Sequence, residues 1–325
     1  MICKICRNSE DNTFVHVNEM MFGFRDKFTY VECSKCGCLQ ISAVPENISK
    51  YYPSNYYSFR TESNPIKQML KTKRDRYLLL KKGHIGKIVC NMYPNLALEA
   101  IGRIRLRRAA RILDVGCGAG DLLRSLRDAG FTNLTGIDPY IEKDTTDGAI
   151  NILKTTVHGL PEDQKFDLII SSHSFEHISD QLETLTAICK LLSDKSVCLL
   201  RIPVKTEYIW NRYSVDWVQI DAPRHLFLHT LKSFNLLVKQ SNLSIREVHF
   251  DSTGFQFWGS EQYMRDIPLL SANSYKVSRS KSIFSAKQIA QYRKKARELN
   301  ANQQGDQATF YLVRDANAIS HGIGQ

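Results

Sequence analysis

The stretch from Arg111 to Gly130 constrains the fold of this 325-residue chain more than any other. Ile112, Leu113 and Val115 supply an apolar strand, and Leu122, Leu123, Leu126 and Ala129 recur at helical spacing. Between them stand Gly116, Gly118 and Gly120, where backbone can approach a ligand with no Cβ in the way. Gly130 suits the left-handed residue that ends a helix. A strand that passes through a glycine turn into a helix is the unit on which open α/β sheets bind nucleotide-like ligands. Beyond it, residues 134–139, 166–173, 197–203, 244–250 and 308–313 read as strands, and 182–192 and 233–243 as helices. That alternation predicts a parallel sheet covered on both faces.

Two cofactors compete for such a turn. A dinucleotide site prefers G-x-G-x-x-G, but the third glycine position here is Asp121, a carboxylate facing a would-be pyrophosphate. The pattern present, G-x-G-x-G behind Asp114, resembles the first motif of S-adenosylmethionine (SAM)-dependent methyltransferases. The strand from Leu134 ends at Asp138-Pro139, and an acid there can accept both hydroxyls of a ribose in either cofactor. Ser174-Phe175-Glu176-His177, after the third strand, resembles the corresponding segment of bacterial SAM methyltransferases. The resemblance implies an α/β, Rossmann-like, mostly parallel sheet with its last strand antiparallel. It also implies SAM as cofactor, held by Asp114, Gly116, Cys117, Gly118, Asp138, Pro139, Ser172 and His173.

Residues 1–58 have a different character. Cys3-x-x-Cys6 and Cys33-x-x-Cys36 flank β-prone runs at 13–17 and 28–31, the layout of a zinc ribbon with four thiolate ligands. Gly37 suits the turn of the second knuckle, and Cys38 is a spare thiol. A closed four-ligand site serves structure and docking rather than chemistry. The aromatic run Tyr51 to Tyr57 reads as a packing seam between ribbon and core. Residues 59–109 read as a basic helical connector, with helices at 65–82 and 95–109 parted by Gly83, Gly86 and Pro94.

The net charge of +11 is concentrated, because Arg60 to Arg111 holds fourteen Lys/Arg against Glu62, Asp75 and Glu99. Such a segment is either a solvated connector or a grip for an anionic partner. Partners of that kind are a nucleotide-linked or lipid-phosphate-linked substrate, a membrane surface touched through 60–111, or RNA. No run of about 18 apolar residues appears, and Met1 to Cys6 has no apolar signal-peptide core. Nine cysteines without a disulfide framework fit a reducing compartment. The expectation is a cytoplasmic protein, peripheral at the inner membrane face.

Methyl transfer to a hydroxyl needs alignment and a proton acceptor. Asp221-Ala222-Pro223-Arg224-His225-Leu226 resembles the D-x-P-R-H-L segment of SAM methyltransferases from bacterial glycan and sugar-modifying pathways. By that resemblance His225 falls at a base position, and an imidazole titrates in the right range. The alternative is that Arg224 and His225 brace the loop and cap the next helix. Glu176 and His177 could likewise orient the acceptor or merely open a helix. The insert at 253–306, with Phe257 to Tyr263 and a basic helical stretch at 285–299, is expected to wall the acceptor cleft, as is Gly305-Asp306-Gln307.

The resemblance implies methylation of a sugar or glycan in surface-polysaccharide or unusual-sugar synthesis, on oxygen rather than carbon. A rival is an RNA methyltransferase gripping RNA with the ribbon and basic segment. Against it, the post-strand motif is S-H-S-F-E-H, not the N-P-P-Y type that stacks a flipped base. A non-catalytic interaction module is the other rival, and intact Asp114, Gly116, Gly118 and Asp138 oppose it.

Overall fold

The computed structural model describes residues 1–53 and 65–315. The expected limit between ribbon and connector, at 58 and 59, lies outside the described residues, as do Tyr56 and Tyr57. The N-terminal hairpin is β1 (Thr13–Asn18) against β2 (Lys27–Glu32), with β3 (Leu39–Ile41) antiparallel on the other side of β2. One Cys knuckle precedes β1 and the other links β2 to β3. In the second, Gly37 at φ +72° donates its N–H to Cys33 O at 2.8 Å, the tight turn its position foretells.

Three helices follow: α1 (Pro65–Leu80), α2 (His84–Met92) and α3 (Leu96–Ile104). Gly83 and Pro94 bound α2 as expected, but Gly86 lies inside it rather than breaking the chain. A Cβ at Gly86 would stand 2.2 Å from the Lys73 carbonyl of α1, so the glycine is there for helix contact. Asn95 caps α3, its side chain accepting from Leu98 N.

The glycine turn joins β4 (Arg111–Val115) to α4 (Asp121–Ala129), which ends at left-handed Gly130. Then come β5 (Asn133–Ile137), the unforeseen pair β6 (Thr145–Asp147) and β7 (Ile150–Leu153), and β8 (Phe166–Ser172). Helix α5 (Gln181–Leu191) stops one residue short of its expected end, because Leu192 already begins β9 (Leu192–Pro203). After α6 (Glu207–Tyr213) the two-residue strand β10 (Phe227–Leu228) precedes α7 (Leu231–Gln240). Thr230 starts α7 with a capping box closed by Ser233, ahead of the position that apolar spacing marks. The chain finishes with β11 (Leu243–Phe250), α8 (Phe255–Tyr263), α9 (Ala286–Ala301) and β12 (Gln307–Arg314).

The main sheet has the order β11-β12-β9-β8-β4-β5-β7-β6. Strands β9, β8, β4, β5 and β7 are parallel, and β12 lies antiparallel between β9 and β11. This is the Rossmann-like methyltransferase arrangement that the sequence predicts. Apolar side chains alternate through it to both faces: Leu113 and Ile169 enter one core, Ile112 and Leu168 the other. The strand order turns outward in both directions from β4 and β8, so their carboxyl ends border the ligand crevice of such a sheet.

The second sheet crosses from one half of the chain to the other. Its order is β1-β2-β3-β10, with Phe227 paired to Gln40 and Leu228 to Leu39. Residues just after His225 therefore complete the sheet of the cysteine hairpin.

Candidate active site

The glycine turn is shaped by what leans against it. Gly116 adopts φ +74°, and a Cβ there would stand 2.4 Å from Ser174 Cβ. Ser174 Oγ donates to Val115 O at 2.7 Å and lies 2.6 Å from Ser171 Oγ, pinning the end of β8 to the end of β4. Gly118 at φ +51° presents its N–H to Asp138 Oδ2 at 2.9 Å, while Tyr140 N–H donates to Oδ1 at 2.9 Å. Each oxygen keeps a second lone pair, so Asp138 can still accept a ribose diol. Pro139 follows at the exposed rim. Asp121 is neutralised at the helix start by Arg124, 2.6 Å away.

A cleft of ≈250 Å³ opens over this turn, lined by Asp114, Gly116, Cys117 and Ser172, with Lys71 of α1 and Asn95 above. Burial, and then the charge of Asp138, push the Asp114 carboxyl up to about 7. A cation entering the cleft would meet a carboxyl ready to ionise. The described residues thus bring Asp114, Gly116, Cys117, Gly118, Asp138 and Ser172 to one place. His173 stands one residue on, at the strand end, with φ +55°. Its Nε2 accepts from Arg201, and Arg201 is itself fixed to Asp251 at 2.7 Å.

Glu176, His177 and His225 also converge, although 48 residues and several elements separate the last two. Glu176 and His177 sit in one 3-10 turn at Phe175–His177, not at the start of an exposed helix. Glu176 is 1% exposed, and neither carboxylate oxygen has a hydrogen-bond partner. His225 Nε2 is 3.8 Å from Glu176 Oε1, and His173 Nδ1 is 3.4 Å away but out of line. Burial opposes the charge of Glu176, yet the His173 contact and the imidazoles of His225 and His177 hold its carboxyl down at about 2. Burial and the charge of His225 lower His177 in turn.

The histidines are oriented by backbone. His225 Nδ1 donates to Gln219 O at 2.7 Å, and His177 Nδ1 to Arg224 O at 2.8 Å. Tyr52 OH, from the aromatic run, approaches His177 Nδ1 at 3.2 Å. The Gln219 loop is held by α8, where Ser260 Oγ accepts from Val218 N at 3.0 Å. Most of Phe257 to Tyr263 is buried in that bracing role, and Asp306 similarly accepts from Trp217 Nε1 at 3.0 Å.

Arg224 is a scaffold. It is fully buried and donates to Asp221 at 2.6 Å, to Glu19 at 3.0 Å and to Tyr51 O at 3.2 Å. Glu19 in turn accepts four backbone N–H groups, from Met21, Phe22, Gly23 and Phe24, at 2.9–3.0 Å. Tyr30 OH of β2 donates to His225 O at 2.8 Å. The cysteine hairpin thereby holds the His225 segment. No helix begins directly after His225, since Thr230 caps the next one.

In the hairpin itself, Cys3 Sγ lies 3.7 Å from Cys36 Sγ, and Cys6 Sγ 3.5 Å from Cys33 Sγ. All four sulfurs fall within 4.8 Å of one another. Thiolates about 2.3 Å from a tetrahedral Zn²⁺ stand roughly 3.8 Å apart, so the set fits that ion. Cys38 is buried outside it, its Sγ against Leu39 O.

Lys71, Tyr52, Glu19 and Tyr30 were not legible as site residues. Only the proximity of Tyr52 to a family-like motif in space reveals it, and Glu19 carries no signal beyond its place in a turn.

Residues 91–248, just under half of the chain, match the family model described as a methyltransferase domain. A ubiquinone biosynthesis O-methyltransferase of Rickettsia bellii is 27% identical over 153 residues, covering 42% of this chain and 62% of that protein. One from Actinobacillus pleuropneumoniae is 28% identical over 171 residues, covering 46% and 73%. The chain thus spans about 62% of the length of the first of these relatives. An S-adenosylmethionine-dependent methyltransferase from Mesorhizobium loti aligns at TM-score 0.43 and 18% identity, over 67% of this chain and 98% of that one.

Proposed function

We propose that this chain, which carries a SAM-dependent class I methyltransferase domain, methylates a hydroxyl group of a sugar or glycan. The observation that carries the reading is the meeting of Glu176, His177 and His225 just beyond the cofactor turn, at the end of β8. When bound, SAM supplies a methyl group already activated by positive sulfur. What remains for the protein is to align the acceptor and relieve its oxygen of a proton. Asp138 and the amides around Gly118 suit the ribose, and Asp114 suits the cationic end of the cofactor. The Glu176 cluster activates the acceptor hydroxyl. The four-cysteine hairpin holds structural Zn²⁺ and keeps His225 in place.

An anionic carrier on the acceptor, either a nucleotide or a lipid phosphate, complements the basic side chains of α1 and those in the links beside α2 and α3. The same side chains would meet an anionic membrane if the carrier is lipid.

Labelled SAM supplied with nucleotide sugars, glycan fragments, lipid-linked sugars and total RNA tests the acceptor class. Label in a sugar methyl ether is the expected result; label confined to RNA would overturn it. His225→Asn should reduce turnover by roughly 10²–10⁴ while SAM affinity stays unchanged. Full activity in that variant would remove His225 from the activating group.

A further inference from the structure

We infer that Glu176, His177 and His225 form a binding site for a divalent cation of the zinc class. The inference deepens the proposed function and rests on that reading of where the acceptor is activated.

The argument begins with which atoms carry protons. A carbonyl oxygen can only accept, so the contacts of His225 Nδ1 with Gln219 O and of His177 Nδ1 with Arg224 O place a proton on each Nδ1. In its neutral form each imidazole then keeps its lone pair on Nε2. Metal-binding histidines show this habit, their other ring N–H donated to a backbone carbonyl or carboxylate. The third member is a carboxylate whose two oxygens are buried and without hydrogen-bond partners. Buried polar groups are nearly always satisfied, and an orphaned one needs an explanation. Here His225 Nε2 faces the carboxylate, a ring nitrogen of His177 lies within 4.8 Å of both, and the His173 N–H at 3.4 Å makes no hydrogen bond to it.

A positive charge bound between them answers that arrangement. One ligand atom from each residue lies within 4.8 Å of the other two, and His225 Nε2 is 3.8 Å from Glu176 Oε1. Bonds of ~2.0–2.2 Å to a tetrahedral ion set ligand atoms about 3.4 Å apart, so small side-chain rotations close the set. Two imidazoles and one carboxylate select a borderline ion such as Zn²⁺ over Mg²⁺ or Ca²⁺, which prefer oxygen. Three protein ligands leave a fourth position. An acceptor hydroxyl there loses its proton to water more easily, its O–H electron pair staying on oxygen beside the cation.

Equilibrium dialysis of the full chain against Zn²⁺, and separately Co²⁺, tests this without any methyl-transfer assay. Wild type should hold one metal equivalent more than Glu176→Gln or His177→Ala. The added Co²⁺ should show visible absorption without a thiolate charge-transfer band, which separates it from the cysteine site. Retained binding of S-adenosylhomocysteine certifies that the variants are folded. Equal metal content in wild type and both folded variants overturns the inference and leaves the proposed function standing. An extra equivalent in a chain that methylates no hydroxyl acceptor supports the metal site while the functional reading fails.

Discussion

Replacing Glu19 by Gln probes the join between the cysteine hairpin and the His225 segment. The carboxylate accepts four backbone N–H groups, two on each oxygen, as well as a guanidinium N–H from Arg224. Glutamine offers one oxygen and one NH₂ in the same space. Two backbone N–H groups would then point at a donor, and each buried orphan costs ~1–3 kcal/mol. Arg224 would also keep only Asp221 as a charged partner, and breaking a buried pair by removing one member costs about 3–5 kcal/mol. These terms overlap, since local shifts relieve them together, so the expected loss is about 3–5 kcal/mol. Urea denaturation followed by near-ultraviolet circular dichroism reads it directly. Metal in the cysteine site should be unchanged, because no cysteine is touched, but turnover should fall as the His225 segment loosens. A loss below about 1 kcal/mol would refute the claim that this carboxylate is the clamp.

Three further outcomes are expected. Burial and Asp138 raise Asp114 from 3.8 to about 7. From about pH 4 to 7 the folded chain therefore holds a proton that the unfolded chain has lost, and this group's contribution to stability falls as pH rises. A cationic cofactor favours the ionised form, so calorimetry should show SAM affinity climbing with pH through about 7, and Asp114→Asn should flatten the slope. Cys33→Ser should abolish metal binding in the hairpin, and, because that hairpin carries Tyr30, proteolysis should open it while turnover drops; a metal content in Cys3→Ser/Cys33→Ser equal to that of wild type would count against these ligands. Asp138→Ala should weaken SAM binding by about 1–3 kcal/mol through loss of charge-assisted hydrogen bonds, and an unchanged dissociation constant would move the ribose elsewhere.

The parts of this molecule that are readable in sequence are those whose cause is local. A strand, a glycine turn and a helix follow one another without interruption from Arg111 to Gly130, and the paired C-x-x-C knuckles announce their own geometry. Ser285 opens α9 where the sequence places a basic helix, since the cap and its Gln288 partner are three residues apart. Gly86 misled because its reason lies on the neighbouring helix. The partner of Glu19 is 205 residues away, and β10 is two residues long, too short to leave a periodic signal. Glu176 reads equally as an acceptor-orienting residue or as a helix opener until the fold seals it beneath three imidazoles.

The pairing of β10 with β3 also bears on the order in which the chain can be finished as it leaves the ribosome. The cysteine hairpin is made well before β10, yet Leu39 and Gln40 await Leu228 and Phe227. Until that late stretch emerges, β3 is an unpaired sheet edge, and such edges recruit foreign strands. Closing so long a loop is slow by its nature. Early capture of a metal ion by Cys3, Cys6, Cys33 and Cys36 would hold the hairpin in shape through the wait. On this view the ion acts first as a timekeeper of synthesis, and cells starved of zinc should accumulate aggregated nascent chains before any shortage of finished protein is visible.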